Sequence, residues 1–571
     1  MRVIIGYLRP FAKRMGLGFL IKVAGTMAEL LLPYLLSYIL KDVVARKSME
    51  EILLYGGIMI LFAALALACN IIANRMAARV SCDFSERVRQ DLFDRTLHLS
   101  SAQCDRFTVA SLESRITTDT YNVHNFVSMM QRMGVRAPIL LIGGVLITLL
   151  MDSYLSLVML ATLPLIFVTV YLISRKGVPL YTRVQKAVDG MIRIVREDAG
   201  GIRVIKALSR TEHEHARYDR ANRELVGCET RAGVTMGAVN PVMTLLMNGG
   251  IVGVVALSAG RVADGLSDPE TVIAFMQYFT LISMAMMSVT RIFVMYTKCA
   301  ASARRIAEVL QAPEDLPVMA EDGKGPAGRI VFDHVSFSYA GRANDVEDIS
   351  FTVPAGGSLG IIGPTGSGKS TIIRLMLRLY DADSGRIYID GRDVRSIPGP
   401  ELYAMFGTAM QQDFLYADTV EENIRFGREI GRESMEEAAR IAQADGFIRS
   451  FADGYGHELA QKGANLSGGQ KQRLLISRAL AGRPEILVLD DSSSALDYRT
   501  DAALRRALAS ERGECTVVTV AQRVSSVKNC DCILVLEEGR IIGSGRHEEL
   551  LESCAAYREI SESQMGGAIV D

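Results

Sequence analysis

The stretch Ser358-Leu-Gly-Ile-Ile-Gly363-Pro364-Thr365-Gly366-Ser367-Gly368-Lys369-Ser370-Thr371-Ile-Ile-Arg-Leu-Met-Leu377 reads as an apolar strand, a glycine-rich loop and an apolar helix in direct succession. It holds G-x-x-x-x-G-K-S in the strand, loop, helix setting that gives the pattern its meaning. Glycines let the backbone wrap a phosphate chain, and the amide N–H groups at the helix start supply positive potential. Lys369 then reaches the β- and γ-phosphates and Ser370 ligates magnesium, so ATP and magnesium are the expected cofactors. A second apolar strand, Ile486-Leu-Val-Leu489, ends in Asp490 and Asp491. A carboxylate ending a buried strand opposite a phosphate loop suits the metal shell, so Asp490 is assigned to magnesium, directly or through water; backbone capping is its alternative use.

Working towards the N-terminus, Ala312-Pro-Glu-Asp-Leu-Pro317 and Gly323-Lys-Gly-Pro-Ala-Gly328 interrupt a helical pattern and set a linker at 313–328, between domains 1–312 and 329–571. Before it lie six apolar stretches, roughly 17–40, 52–74, 135–151, 155–174, 234–259 and 272–297, each able to approach bilayer thickness as a helix. The third and fourth are separated by little more than Asp152 and Ser153, so they could form one buried hairpin, but an even count returns the chain to its starting side. The long connections, about 75–134 and 175–233, are dense in Lys and Arg, which places them and the N-terminus in the cytoplasm. Their helical periodicity, as in Phe84-Ser-Glu-Arg-Val-Arg-Gln-Asp-Leu-Phe93, fits spans that continue into the cytosol or separate surface helices.

Composition agrees with a membrane protein of at least two domains: 571 residues, 49% hydrophobic, with a mean hydropathy of +0.21. With 63 basic against 64 acidic residues there is no overall field to recruit nucleic acid, and none is expected as a partner. The nine cysteines are scattered and show neither a disulfide framework nor zinc spacing. The basic start, with Arg2, Arg9, Lys13 and Arg14, precedes no short apolar core with a cleavage site. Charges inside the spans are few: Lys22, which could snorkel, Glu29, the better candidate for a cavity, and Arg291 at an interface. Met276, Met284, Met286, Met287 and Met295, with Tyr278 and Phe279, suit either an adaptable apolar ligand surface or plain packing.

Leu466-Ser467-Gly468-Gly469-Gln470, followed by Lys471-Gln-Arg-Leu-Leu-Ile-Ser-Arg-Ala-Leu480, resembles the ATP-binding-cassette signature and its helix, in the expected order relative to the two phosphate-site motifs. Over essentially its whole length the chain resembles a half-transporter of the exporter class. This implies an all-α six-helix transmembrane domain followed by an α/β P-loop nucleotide-binding domain. The resemblance further implies that two cassettes sandwich two ATP molecules, each held by one chain's phosphate motifs and the other chain's signature. By matching position, Tyr339 stacks on adenine, Gln411 joins magnesium and the attacking water to the membrane domain, and Ser494-Ala-Leu-Asp497 faces the dimer partner. Ser467, Gly468 and Gly469, with Gln470 in the same motif, hold the γ-phosphate of the partner's ATP. Leu112-Glu-Ser-Arg-Ile-Thr-Thr-Asp119 and Gly201-Ile-Arg-Val-Ile-Lys-Ala207 resemble the segments around two coupling loops.

Three positions depart from the family pattern. The general-base glutamate is Asp491, the switch histidine is Gln522, and Gln461-Lys-Gly463 stands where Glu-Arg-Gly is usual. A carboxylate one methylene short is withdrawn from the attacking water, and glutamine cannot carry a positive charge. The resemblance therefore implies a degenerate site in this chain, a second half-transporter as partner in a heterodimer rather than a homodimer, and a bacterial inner or plasma membrane location. The expected activity is ATP-driven efflux of amphipathic or drug-like compounds, from surrounding membrane lipid. The alternatives are an exporter-fold importer of a metal chelate, and a regulatory or structural subunit with little ATPase of its own.

Overall fold

The computed structural model describes residues 1–46, 48–263, 268–320, 323, 325–339, 341, 343–411, 414–492, 494–511 and 513–565. Three linker positions, 321, 322 and 324, therefore lie outside the described residues, as do Gln412 and Asp413 beside Gln411. The chain divides into two compact units, Met1–Leu97 with Val109–Ala312, and His98–Thr108 with Pro313–Asp571.

In the first unit the helices are α1 (Arg2–Leu8), α2 (Ala12–Tyr38), α3 (Met49–Leu97), then, beyond α4 (Ser101–Phe107) of the second unit, α5 (Val109–Ser114), α6 (Thr120–Met151), α7 (Ser153–Ala207), α8 (Thr211–Gly237), α9 (Val239–Ala263) and α10 (Pro269–Leu310). Among the described residues six helical segments are long and apolar enough to cross a membrane. The 49 residues of α3 and the 55 of α7 run without a break. At 1.5 Å per residue each is about 70–80 Å long, more than twice a hydrocarbon core, so these spans continue well past the apolar layer. The third and fourth spans are separate helices because Asp152 Oδ1 accepts from the N–H groups of Tyr154 (2.9 Å) and Leu155 (3.2 Å), capping α7 where α6 ends. Cations at this outer end are neutralised locally, Lys41 by Asp268 at 2.5 Å and Arg261 by Asp152 at 3.7 Å. The unneutralised excess therefore stays with the cytoplasmic connections.

The centre of the helix bundle is apolar, built from Leu30, Leu140, Met159, Tyr278, Phe279 and Ile282. Tyr278 and Phe279 are consequently core residues, 0% and 2% exposed, and not part of a ligand surface; Tyr278 spends its hydroxyl on Leu30 O at 2.6 Å. Met286 is buried as well, while Met276 and Met284 remain exposed. Lys22 does not snorkel: it is buried, and its Nζ donates to Asn70 Oδ1 (2.7 Å) and Asn74 Oδ1 (3.1 Å) on α3. Glu29 is not an open cavity carboxylate, because both of its oxygens accept from the guanidinium of Arg136 on α6.

The second unit carries an antiparallel sheet and a largely parallel one. The strands are β1 (Ile330–Phe337), β2 (Val346–Val353), β3 (Ser358–Ile362), β4 (Ser384–Ile389), β5 (Arg392–Asp393), β6 (Phe406–Ala409), β7 (Ile486–Asp490), β8 (Thr516–Ala521), β9 (Cys532–Glu537) and β10 (Arg540–Gly545). Their orders are β2-β1-β4-β5 and β10-β9-β3-β8-β7-β6. All five residues of β3 and of β7 are buried, which explains their unbroken apolar runs. The helix α4 packs in this unit, where Gln103 Nε2 donates to Pro313 O at 3.2 Å and the Tyr380 hydroxyl donates to Asp105.

Within the first unit, Asp119 is fully buried and accepts from Ser302 Oγ (2.8 Å) and from the Arg305 guanidinium on α10. Replacing it removes the charge that Arg305 is built around. Asp119→Ala is expected to cost about 3 kcal/mol, and Ser302→Ala about 1 kcal/mol, ranked by thermal unfolding of the detergent-solubilised protein.

Candidate functional site

Parallel pairing of β3 with β8, β8 with β7, and β7 with β6 brings four strand C-termini to one edge. Residues far apart in sequence meet there: the loop 363–370 after β3, Gln411 after β6, Asp490 and Asp491 at the end of β7, and Gln522 after β8. This is the edge at which open α/β sheets bind ligands. Loop residues Thr365, Gly366, Gly368, Lys369, Ser370 and Thr371 line a cleft of about 230 Å³ together with Gln411, Asp490, Asp491 and Gln522.

The loop's shape depends on missing side chains. Gly368, at φ 95°, would place a Cβ 2.7 Å from Val346 Cγ1 and 2.9 Å from Asp345 O, and a Cβ on Gly363 would lie 2.2 Å from Leu536 O. The helix α11 (Lys369–Met376) starts directly from this turn. Lys369 Nζ donates to Gly363 O (2.8 Å) and Pro364 O (2.7 Å), so the lysine folds back over its own loop. Ser367 Oγ is buried without a partner among the described residues, directly after the exposed loop positions Pro364, Thr365 and Gly366. A curled loop with a buried, unused hydroxyl and a lysine fits the phosphates of a nucleotide.

Asp490 is 3% exposed and hydrogen-bonds the Ser370 hydroxyl; burial pushes its carboxyl up, against the pull of Ser370, Arg374 and Lys369. Burial likewise lowers the Lys369 ammonium, opposed by both carboxylates, and raises Asp491, opposed chiefly by Lys369. Asp491 sits at φ 48°, a conformation uncommon outside glycine, with its N–H on Val520 O at 2.9 Å. Its Oδ2 accepts from Gln411 Nε2 at 3.4 Å and from Gln522 Nε2 at 3.2 Å. Two neutral amides thus tether one carboxylate oxygen. Among the described residues no three His, Cys, Asp or Glu side chains converge as a metal site, so a cation here would rely on the Ser370–Asp490 pair and on phosphate oxygens.

Tyr339 is 40% exposed, with its hydroxyl 3.4 Å from Thr371 Oγ1 and accepting from Arg374 Nη1 at 3.0 Å. Its ring meets those of Phe337 and Tyr380 edge-on, with centroids 4.9 and 5.1 Å away. A half-open aromatic fixed this way is suited to stacking on a base. Ser467, Gly468, Gly469 and Gln470 do not line the cleft. They start the helix Gly468–Ala481, where Ser467 Oγ accepts from Gln470 N (3.3 Å) and Gln470 Oε1 accepts from Ser467 N (2.9 Å). The Asp497 carboxylate caps the next helix, accepting from Thr500 N (2.9 Å) and Oγ1 (2.8 Å), and these bonds hold it below the usual carboxylate range. In the variant Gln461-Lys462-Gly463 turn, Lys462 sits at φ 58° and donates its N–H to Leu415 O at 3.1 Å.

Sequence reading missed Gln472. Its Nε2 donates to Ser494 Oγ (3.1 Å) and its Oε1 accepts from Ala495 N (2.9 Å), while Ser494 Oγ donates to Asp491 O at 3.0 Å. One side chain therefore ties the signature helix to the turn that follows Asp491. Nothing in the local sequence singles it out from its polar neighbours Lys471 and Arg473 on the same helix.

Residues 15–286 match the family model of the ABC transporter transmembrane region, and residues 346–494 match the family model described as ABC transporter. An uncharacterized ABC transporter ATP-binding protein of Mycobacterium tuberculosis is 33% identical over 574 residues, covering 99% of this chain and 98% of the relative. The uncharacterized ABC transporter ATP-binding protein YfiB of Bacillus subtilis is 34% identical, with 99% of each chain covered. A fatty acid ABC transporter ATP-binding/permease protein of Mycobacterium bovis is 30% identical, over 84% of this chain and 76% of its own. The fold is that of a bacterial Atm1-family ABC exporter solved with ATP bound, at a TM-score of 0.81, 24% identity and coverage of 98% and 99%. With six membrane-spanning helices, a nucleotide cleft and full-length bacterial relatives, the chain is a multi-pass membrane ATPase that belongs to the ABC transporter family and has the exporter fold.

Proposed function

We propose that this chain is one half of a heterodimeric exporter whose own ATP site binds nucleotide firmly but hydrolyses it slowly, while its signature completes a faster site on the partner. The observation that carries this reading is Asp491: a short carboxylate at the general-base position, with Gln411 and Gln522 both donating to its Oδ2. A shift near 1 Å from the productive geometry costs about 100-fold in rate. Gln522 adds a neutral donor where a protonated histidine would add charge.

Binding does not depend on those two positions. The loop amides and Lys369 hold the β- and γ-phosphates, Tyr339 stacks on adenine, and Ser467, Gly468 and Gly469 contact the γ-phosphate bound to the partner. Magnesium, held by Ser370 and Asp490 with Gln411 nearby, would neutralise charge on the phosphate oxygens. Cassette closure driven by binding then shifts the membrane domain's population towards release. Amphipathic cargo is supported by the apolar spans, and a relative at 30% identity is named for fatty acid transport.

Three outcomes test the asymmetry, each in the complex purified from native cells with its subunits identified by native mass spectrometry. Asp491→Glu with Gln522→His should raise single-turnover hydrolysis at this chain's site about 10–100-fold. Lys369→Ala should weaken ATP binding at that site about 10–100-fold, as loss of charge-assisted contacts requires, with little effect on steady-state turnover. Ser467→Ala should instead cut steady-state turnover about tenfold or more through the partner's site. Equal effects of matching mutations in both subunits, or a fully active homodimer, would overturn the proposal.

A further inference from the structure

Tyr339, the candidate adenine platform, is held by two sets of contacts. The first joins its hydroxyl to the helix that starts at the phosphate loop: it accepts from Arg374 Nη1 at 3.0 Å and lies 3.4 Å from Thr371 Oγ1, both on α11. The Arg374 guanidinium also stands 5.7 Å from the ring centroid, within cation–π range. The second set is aromatic. Tyr339 meets Phe337 and Tyr380 edge-on, and the rings of Phe337 and Tyr380 are themselves 5.6 Å apart, so the three close into one cluster. Phe337 is buried at the end of β1, and Tyr380 packs half-buried on the same core. The backbone is pinned too, with Tyr339 N donating to Asp345 Oδ2 at 2.9 Å and Ser338 N to Asp383 Oδ2 at 2.8 Å.

One member of the cluster leads out of it. The Tyr380 hydroxyl donates to Asp105 Oδ2 on α4. Burial, and then Asp105, push that hydroxyl up, so it stays a donor at neutral pH. The segment 98–108 that carries α4 is also tied to the linker, where His98 O accepts from Asp315 N at 2.9 Å and Gln103 Nε2 donates to Pro313 O at 3.2 Å. Those bonds end on linker backbone, outside the aromatic cluster. The Asp105 bond differs, because its partner touches the ring on which a base would stack. In chain order α4 falls between α3 and α5, so it joins the second and third membrane-spanning segments.

We propose that Tyr380 is a positioning residue that relays occupancy of the adenine platform to Asp105 on α4, so that the connection between two membrane spans reads the nucleobase as well as the phosphates. The inference rests on the reading of Tyr339 as the base platform and adds a base-dependent step to it. A purine stacked on Tyr339 restrains that ring, close packing restrains the edge-on Tyr380 in turn, and the hydroxyl keeps its charge-assisted bond to Asp105. A pyrimidine has one ring, stacks over less of the platform and restrains it less. The phosphates of the two nucleotides are the same, so the base alone makes the difference.

The test uses the full complex purified from native cells, in nanodiscs, with a fluorescent pair on the outer ends of its spans reporting opening in the interval before hydrolysis. Saturating ATP is compared with saturating CTP, so that affinity does not enter. The unaltered complex should open further with ATP than with CTP. Tyr380→Phe, which removes the hydroxyl and keeps the ring, should lower that preference about three- to tenfold. Asp105→Ala, at an exposed position, should do the same, and combining the two should add little, because each removes one bond. A merely structural role for the contact would lower opening with both nucleotides alike and leave their ratio unchanged. That outcome overturns the relay, as do additive losses in the double variant or an unaltered complex that opens equally with both nucleotides. Tyr339→Ala checks the underlying reading separately: unchanged ATP binding at this chain's site overturns the platform and the relay together, whereas weakened binding beside an unchanged ratio in Tyr380→Phe overturns the relay alone.

Discussion

The cassette's chemistry depends on the parallel registry of β3, β8, β7 and β6. Pairing Ile362 with Ala521 and Asp490 with Val520 puts the phosphate loop, the two aspartates and Gln522 at the same height on one sheet edge. A slip of one residue would turn every inward side chain of these buried strands outward, so the apolar runs that build the core also fix the site. The loop then follows from what cannot be added: a Cβ at Gly363 or Gly368 would strike backbone oxygens. Lys369, tethered to the carbonyls of Gly363 and Pro364, is held over that loop with its charge balanced against Asp490 and Asp491.

The membrane unit obeys a different constraint, the cost of charge in hydrocarbon. The ionisable groups within its apolar spans are paired where charge is most expensive: Glu29 by Arg136, Lys22 by two asparagines. What is left over is cationic and lies in the Lys- and Arg-rich cytoplasmic connections.

Much of this was legible in sequence, because both constraints write themselves into residue order. Glycine spacing with a flanking strand and helix marked the phosphate loop, and six apolar runs with basic connections marked the spans. Pairings across distant segments were not legible. Nothing near Glu29 reveals that a residue 107 positions away takes its charge, and nothing near Tyr278 distinguishes a core tyrosine from a ligand-facing one. Helical periodicity gives a face, but which helix covers that face is decided by tertiary packing. Gln472 was invisible for the same reason: its partners Ser494 and Ala495 come from the turn after another strand.

Two of the three departures from the family pattern, Asp491 and Gln522, fall on one side of the cleft. Phosphate binding draws on loop amides, Lys369 and Ser370, all present in the usual order. On the proposed reading, proton removal from water draws on the residue after Asp490 and on the switch position after β8, where Asp491 and Gln522 stand. Asp491 and Gln522 also satisfy each other at 3.2 Å, so the pair is a self-consistent polar contact and not a damaged remnant. On the proposed reading, a site built this way keeps the free energy of nucleotide binding, which favours a closed cassette dimer, while slowing the step that ends closure. On the proposed reading, this site holds the dimer together across turnovers, and the rhythm of opening is set by the partner's site that Ser467 completes.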